Sequence, residues 1–277
     1  VITALLLVGV LLGSVWGTDQ AWPFAVLSLV LIAAAGWEWG RLNQAGPVSA
    51  MGLGVAVAAG GLAALWGGWG QQAPDLVWWC TVLLWSVGAV VALRGGPAMW
   101  PQLPRAGRWA VGVVGLWAAW LALTQARAIG INFMLSMLCL VWMADVAAYF
   151  GGRAFGRRKL APAISPGKSW EGVWSGMAGV LLLALLWIAL DRRFGFDGAS
   201  LYTRLQHSLG WAGMAVALLG LAGFSVVGDL IESLVKRAAG AKDSSRLLPG
   251  HGGVLDRVDA LLPVMPLALA LATLGVG

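Results

Sequence analysis

Long apolar runs separated by short polar connections make up most of this chain. Nine such runs fall at roughly 1–16, 22–40, 50–67, 76–93, 108–124, 131–150, 173–190, 210–235 and 257–277. Each approaches the about 20 residues a helix needs to cross roughly 30 Å of hydrocarbon. In lipid a helix satisfies its own backbone, so the pattern predicts an all-α, polytopic transmembrane protein of about nine spans. The first run begins at Val1 without a Met or a basic flank, which fits a trimmed spanning helix better than a secretory signal. The third carries Gly52, Gly54, Gly60 and Gly61, small residues that let helices approach closely. No long-period repeat, low-complexity stretch or soluble domain interrupts the series.

The connections give an orientation. Four alternate ones hold Arg41; then Arg94, Arg105 and Arg108; then Arg153, Arg157, Arg158, Lys159 and Lys168; then Lys236, Arg237, Lys242, Arg246 and Arg257. These are fourteen of the 18 basic residues, and the other connections keep only Arg127, Arg192, Arg193 and Arg204. Basic residues accumulate on the cytoplasmic side. The even-numbered loops are therefore expected inside, with the N-terminus cytoplasmic and the C-terminus outside.

Composition agrees with this reading: 60% of residues are hydrophobic and only 11% charged, against about 25% charged in a soluble domain. The net charge of +6 suits the positive-inside bias and anionic head groups, and no nucleic-acid partner is expected. Many of the 18 tryptophans, among them Trp16, Trp22, Trp78, Trp79 and Trp211, fall near span ends, where an indole anchors at the head-group level. Cys80 and Cys139 sit in apolar runs without metal or disulfide spacing and read as packing residues.

Chemistry concentrates in two polar stretches on the expected cytoplasmic side. The first carries Asp145, Tyr149 and the basic run to Lys159, then Ser165-Pro166-Gly167-Lys168-Ser169 and Glu171. In the second, Asp229, Glu232, Ser233 and Lys236 recur at i, i+3, i+4 and i+7 and share one helix face. Lys242, Asp243, His251, Asp256, Arg257 and Asp259 follow. A carboxylate in a spanning helix costs a few kcal/mol and so seeks a partner, water or an ion. An internal bridge to Lys236 or Arg237 is one reading, but it leaves Asp256 and Asp259 unexplained. Carboxylates bind hard cations, basic side chains bind phosphate, and the Gly250-His251-Gly252-Gly253 turn offers backbone N–H groups to an anion. Together they point to phosphoryl or nucleotidyl transfer. Residues 166–169 end like a Walker A loop, but Pro162 stands where its first glycine belongs, and no strand is expected before it. His251 reads as a turn residue, His207 as an unremarkable one on the outer side, and there is no zinc pattern.

From Ser233 to Asp259 the chain resembles the phosphatidate cytidylyltransferases of bacterial type. The shared pattern reads Ser233-Leu-Val-Lys236-Arg237, then Lys242-Asp243-Ser-Ser245, then Pro249-Gly-His251-Gly252-Gly253-Val-Leu-Asp256-Arg257-Val-Asp259. The Asp145…Tyr149 and Ser165…Gly172 segments are similar to further family blocks, with Ser169 in place of the commoner Thr. The front of the chain shares mainly hydropathy. Residues 1–130 are expected to supply N-terminal spans, and 131–277 a catalytic region.

The resemblance implies a CTP-dependent enzyme of phospholipid biosynthesis in the bacterial inner membrane, with its site facing the cytoplasm. Phosphatidic acid attacks the α-phosphorus of CTP, giving CDP-diacylglycerol and pyrophosphate. It further implies Asp229 and Asp256 as ligands of a paired-cation site for Mg²⁺, with a monovalent ion such as K⁺ as the second cation. Ser233, Lys236 and Arg237 then act in catalysis, with Lys168, Lys242, His251, Arg257, Asp145 and Glu171 binding substrate. A homodimer is also implied. The runner-up enzymes, CDP-alcohol phosphotransferases, require a D-G-x2-A-R run that is missing here, and polyprenyl-phosphate enzymes are the other alternative. A transporter would place its carboxylates near the midplane, whereas these gather at one edge.

Overall fold

A computed structural model describes residues 13–17 and 20–274. In chain order they form α1 (Trp22–Leu42), α2 (Pro47–Trp66), α3 (Asp75–Met99), a 3-10 turn (Trp100–Gln102), α4 (Arg105–Ile129) and α5 (Ile131–Phe155). A hairpin follows, β1 (Lys159–Ala161) and β2 (Ser165–Ser169), and then α6 (Trp170–Phe194), α7 (Leu201–Ala238), α8 (Leu255–Val258) and α9 (Leu261–Thr273). Helices α1 to α7 are long and apolar enough to cross a membrane. The protein is an all-α polytopic membrane protein. The span expected at 1–16 lies largely outside the described residues.

The expected last span is described to residue 274. A single turn (Leu255–Val258) and a 13-residue helix are joined by Asp259 and Ala260, which keep helical φ/ψ, so the backbone runs helically over 255–273, about 28 Å at 1.5 Å per residue. Every residue from Leu262 to Ala270 is buried, against α7, α3 and α4. It is a core helix enclosed by the others, which explains why its sequence is apolar all round. At Gly228 a Cβ would stand only 2.9 Å from Pro263 Cδ, so the glycine lets α7 pass close to the start of α9.

Helix ends follow local chemistry. Ser169 caps α6 by accepting from the Gly172 N–H at 3.2 Å, and Gly195, at φ 57°, closes it in the left-handed conformation. A break at Gly210 (φ 67°) divides α7 and coincides with the predicted start of the eighth apolar run. Between α5 and α6 the packing is built on small residues: Cβ atoms at Gly172 and Gly176 would meet the Ala148 and Ala144 carbonyls at 2.9 and 2.8 Å. Large apolar side chains such as Val30, Leu83, Leu182 and Val216 point outward, as lipid-facing residues do. Trp16, Trp22, Trp79 and Trp211 are exposed, but Trp78 is fully buried and belongs to the core instead of an interfacial belt.

Contacts between connections bear on the alternation of loops. Asn43 Oδ1, after α1, accepts from Trp100 Nε1 at 2.8 Å and Arg108 Nη1 at 3.4 Å, before and at the start of α4. Ser244 and Ser245 reach Glu38 near the end of α1. Lys168 of β2 reaches Asp229, and Arg237 Nε donates to the Ile164 carbonyl. All four basic connections thus meet at one end of the bundle. At the other end Asp197 accepts from the Ile131 and Asn132 N–H groups, and Gln125 accepts from the Ala73 N–H.

Candidate active site

The end that gathers the basic connections contains a cavity of about 580 Å³ between α5, β2, α6 and α7. Asp145, Arg153, Lys168 and Asp229 supply its polar part; Ala148, Val173, Met177 and Val226 line its apolar part. Antiparallel pairing of β1 with β2, Lys159 opposite Ser169, turns residues 165–169 into an extended strand. The Pro166-Gly167-Lys168-Ser169 run is therefore strand and not a phosphate-wrapping loop, which accounts for the Walker resemblance without its function. The strand also delivers Lys168 Nζ to Asp229 Oδ2 at 2.5 Å. Asp229 Oδ1 accepts from Ser233 Oγ at 3.2 Å, one helical turn on. Both partners of this pair are partly exposed, the lysine 25% and the aspartate 30%, so substrate phosphate can compete for the ammonium.

Around the next turn of α7 a second cluster is far more enclosed. Lys236 Nζ pairs with Glu232 and, at 2.7 Å, with Asp256 Oδ1. The bridge within the helix that the spacing allowed is thus present, but to Glu232, while Asp229 turns to β2. Asp256 further accepts from the Ser244 N–H at 2.9 Å, Ser244 Oγ at 2.8 Å and the Gly253 N–H at 2.7 Å. Burial alone would raise its carboxyl, but hydrogen bonding with Glu232 and Lys236 first, and then with the Gly253 and Ser244 N–H groups, outweighs burial and holds it well below the ordinary carboxylate range.

Of the four N–H groups in the glycine turn, those of His251 and Gly253 are already taken, and those of Gly250 and Gly252 have no acceptor among the described residues. Gly250 and Gly252 adopt positive φ, 77° and 80°, and the turn folds on itself. The His251 N–H donates to Leu248 O, and the Gly253 N–H is taken by Asp256. The N–H groups of Val254 and Leu255 are taken by Glu38. His251 Nδ1 lies 3.2 Å from the Pro249 carbonyl, and the His251 carbonyl accepts from Arg257 Nε at 2.9 Å and Nη2 at 2.5 Å. Both residues shape the turn, as the sequence suggests for His251. Lys242 is exposed beside it, and Arg237 is exposed against the hairpin. Glu171 accepts from the Arg157 N–H at 3.0 Å and the Arg158 N–H at 3.2 Å, tying the hairpin to α6.

As a metal site the two aspartates differ. Among the described residues no three His, Cys, Asp or Glu side chains converge as a ready ligand set. Asp229, with Asp145 lining the same cavity, offers the oxygen donors that Mg²⁺ takes alongside retained water. Asp256 has both oxygens committed to protein donors.

Glu38 is absent from the sequence reading. Its signal is an acidic residue inside the apolar run of α1, a costly placement in a membrane helix.

The cytidylyltransferase family model matches residues 1–274. The chain is 39% identical to the phosphatidate cytidylyltransferase of Pseudomonas aeruginosa across 98% of its own length and 95% of that protein. It is 46% identical to the Haemophilus influenzae phosphatidate cytidylyltransferase across 50% of this chain and 44% of the relative. For the Staphylococcus epidermidis protein of the same name the identity is 37% across 52% and 50%. Likeness along nearly the whole length, and not only in the 233–259 segment, establishes that the chain belongs to the cytidylyltransferase family.

Proposed function

We propose that this protein transfers the cytidylyl group of CTP to phosphatidic acid, forming CDP-diacylglycerol and pyrophosphate. The observation that carries the reading is the cavity in which the Lys168–Asp229 pair adjoins an apolar wall of α5, α6 and α7. A phospholipid needs such a place, with its phosphate against the charges and its glyceride and acyl chains along the wall. An oxygen of the phosphatidate phosphate attacks the α-phosphorus, and the bond from that phosphorus to the bridging oxygen of the β-phosphate breaks. Pyrophosphate leaves with the electron pair. The nucleophile is already anionic, so holding it in line and balancing charge provide most of the acceleration. Lys168 binds and orients phosphate oxygens, Ser233 holds the Asp229 carboxylate, and Arg153 lends charge at the rim.

Mg²⁺, with K⁺ as the candidate second ion, would be held by Asp229 and Asp145 and would neutralise triphosphate charge. Asp256 joins such a set only if Lys236 and the loop N–H groups release it. The bias of basic loops supports a cytoplasmic face of the bacterial inner membrane for this end of the bundle. A cytoplasmic N-terminus, nine spans and pairing of two copies belong to the same reading.

The direct assay uses purified protein with radiolabelled CTP, phosphatidic acid and Mg²⁺. Labelled CDP-lipid and stoichiometric pyrophosphate are expected, and both should vanish when EDTA removes the metal. Binding of CTP without any CDP-lipid rejects the reaction.

A further inference from the structure

Glu38 is the only acidic residue between positions 20 and 74 and is completely buried near the end of α1. A carboxylate there needs partners, since burying a charge without them is costly. Its partners come from one distant segment. Oε1 accepts from Ser245 Oγ at 2.6 Å and the Val254 N–H at 3.0 Å. Oε2 accepts from the Leu255 N–H at 2.7 Å and lies 3.3 Å from Ser244 Oγ, whose one proton goes to Asp256 at 2.8 Å. Glu38 therefore receives one hydroxyl and two amides, all neutral donors, and charge assistance makes such bonds about twice as strong as neutral ones.

The same segment carries the second acidic cluster. Ser244 donates to Asp256 through both its hydroxyl and its N–H, with the same hydroxyl 3.3 Å from Glu38 Oε2. Gly253, next to Val254, donates to Asp256 and is packed so that any side chain would strike the Glu38 carboxylate and the Ser244 hydroxyl. The loop is wrapped around Glu38, and Asp256, just after the residues that bind Glu38, meets Lys236.

We infer that Glu38 is a positioning residue for nucleotidyl transfer: from the first described helix it fixes the 244–255 segment, and through that segment sets Asp256 against Lys236, without touching substrate. The kinetic part rests on the proposed reaction; the anchoring of the loop does not. Glu38→Gln keeps the size but turns an NH2 group toward donors. Glu38→Asp keeps the charge one methylene short of the loop. Neither can receive all three bonds.

The test uses the full chain in lipid nanodiscs, comparing the parent with Glu38→Gln, Glu38→Asp and Ser245→Ala. In Glu38→Gln, kcat should fall about 10²-fold, as small misplacements of a catalytic group do, with KM for CTP within about threefold. Hydrogen–deuterium exchange at the 254 and 255 amides should accelerate while α5 and α6 stay protected. Glu38→Asp should lie between, and Ser245→Ala should lose about tenfold in kcat with faster exchange confined to the loop. Near-parent kcat in Glu38→Gln, or unchanged exchange at 254 and 255, overturns the inference. If Glu38→Gln loses protection throughout the bundle, Ser245→Ala decides: parent-like kcat rejects the positioning role. If the parent makes no CDP-lipid, the reaction assignment fails, and the exchange pattern alone decides whether Glu38 holds the loop.

Discussion

Asp229 and Asp256 stand at the same end of the bundle, yet their surroundings differ in kind. Asp229 has one lysine from a neighbouring strand and one hydroxyl from its own helix, and it opens onto a large cavity. Asp256 is met by an ammonium, two backbone N–H groups and a hydroxyl, and its side chain is only 8% exposed. The first arrangement leaves carboxylate oxygens for a cation and a lysine for an incoming phosphate; the second spends its acceptor capacity on keeping a loop in shape. Acidic residues in one motif can thus hold different tasks, and counting their bonds separates those tasks better than spacing does. The resemblance treats the two aspartates alike, as paired ligands. In this structure Asp229 is the more open of the two, and Asp256 is the one tied to its own loop.

Substitutions sharpen or break that contrast. The largest effect is expected from Asp229→Asn, which should lower kcat about 10³-fold or more, because it removes the charge facing both cation and Lys168. Thermal unfolding should be nearly unchanged, since the site is partly open. Turnover near that of the parent would end its role as a ligand. Asp256→Asn should lower kcat about 10²-fold and also destabilise the protein by about 2 kcal/mol, since charged hydrogen bonds in an enclosed place are lost. Lost activity with unaltered stability and unaltered loop exchange would instead make Asp256 a direct ligand, and the contrast would disappear. Arg257→Lys should cost only about threefold in kcat, because a lysine keeps one of the two bonds to the His251 carbonyl. A loss as large as that of Asp229→Asn would mean that Arg257 touches substrate.

Much of this was legible from the residues. The seven described spans fall on predicted apolar runs, and the break at Gly210 falls where the eighth run begins. Asp145, Lys168 and Asp229, taken from two separate polar stretches, line one cavity. The last run was legible as an apolar helix, but not that the other helices enclose it, since burial among helices and burial in lipid ask for the same composition. The glycine turn was legible only in part, because spacing reveals which N–H groups exist, not that those of His251 and Gly253 are already taken.

The chain's own order of apolar and polar residues determined that it lies in a membrane, where its helices run, and that its basic connections fall on alternate loops. These follow from local chemistry, since hydropathy and helix propensity act within a single segment. Only the tertiary structure decided that Lys168 serves Asp229, that Asp256 is held by its own loop, and that Glu38 carries a segment more than 200 residues away. A hydrogen bond acts over about 3 Å, and which groups come within that distance depends on how the whole bundle packs.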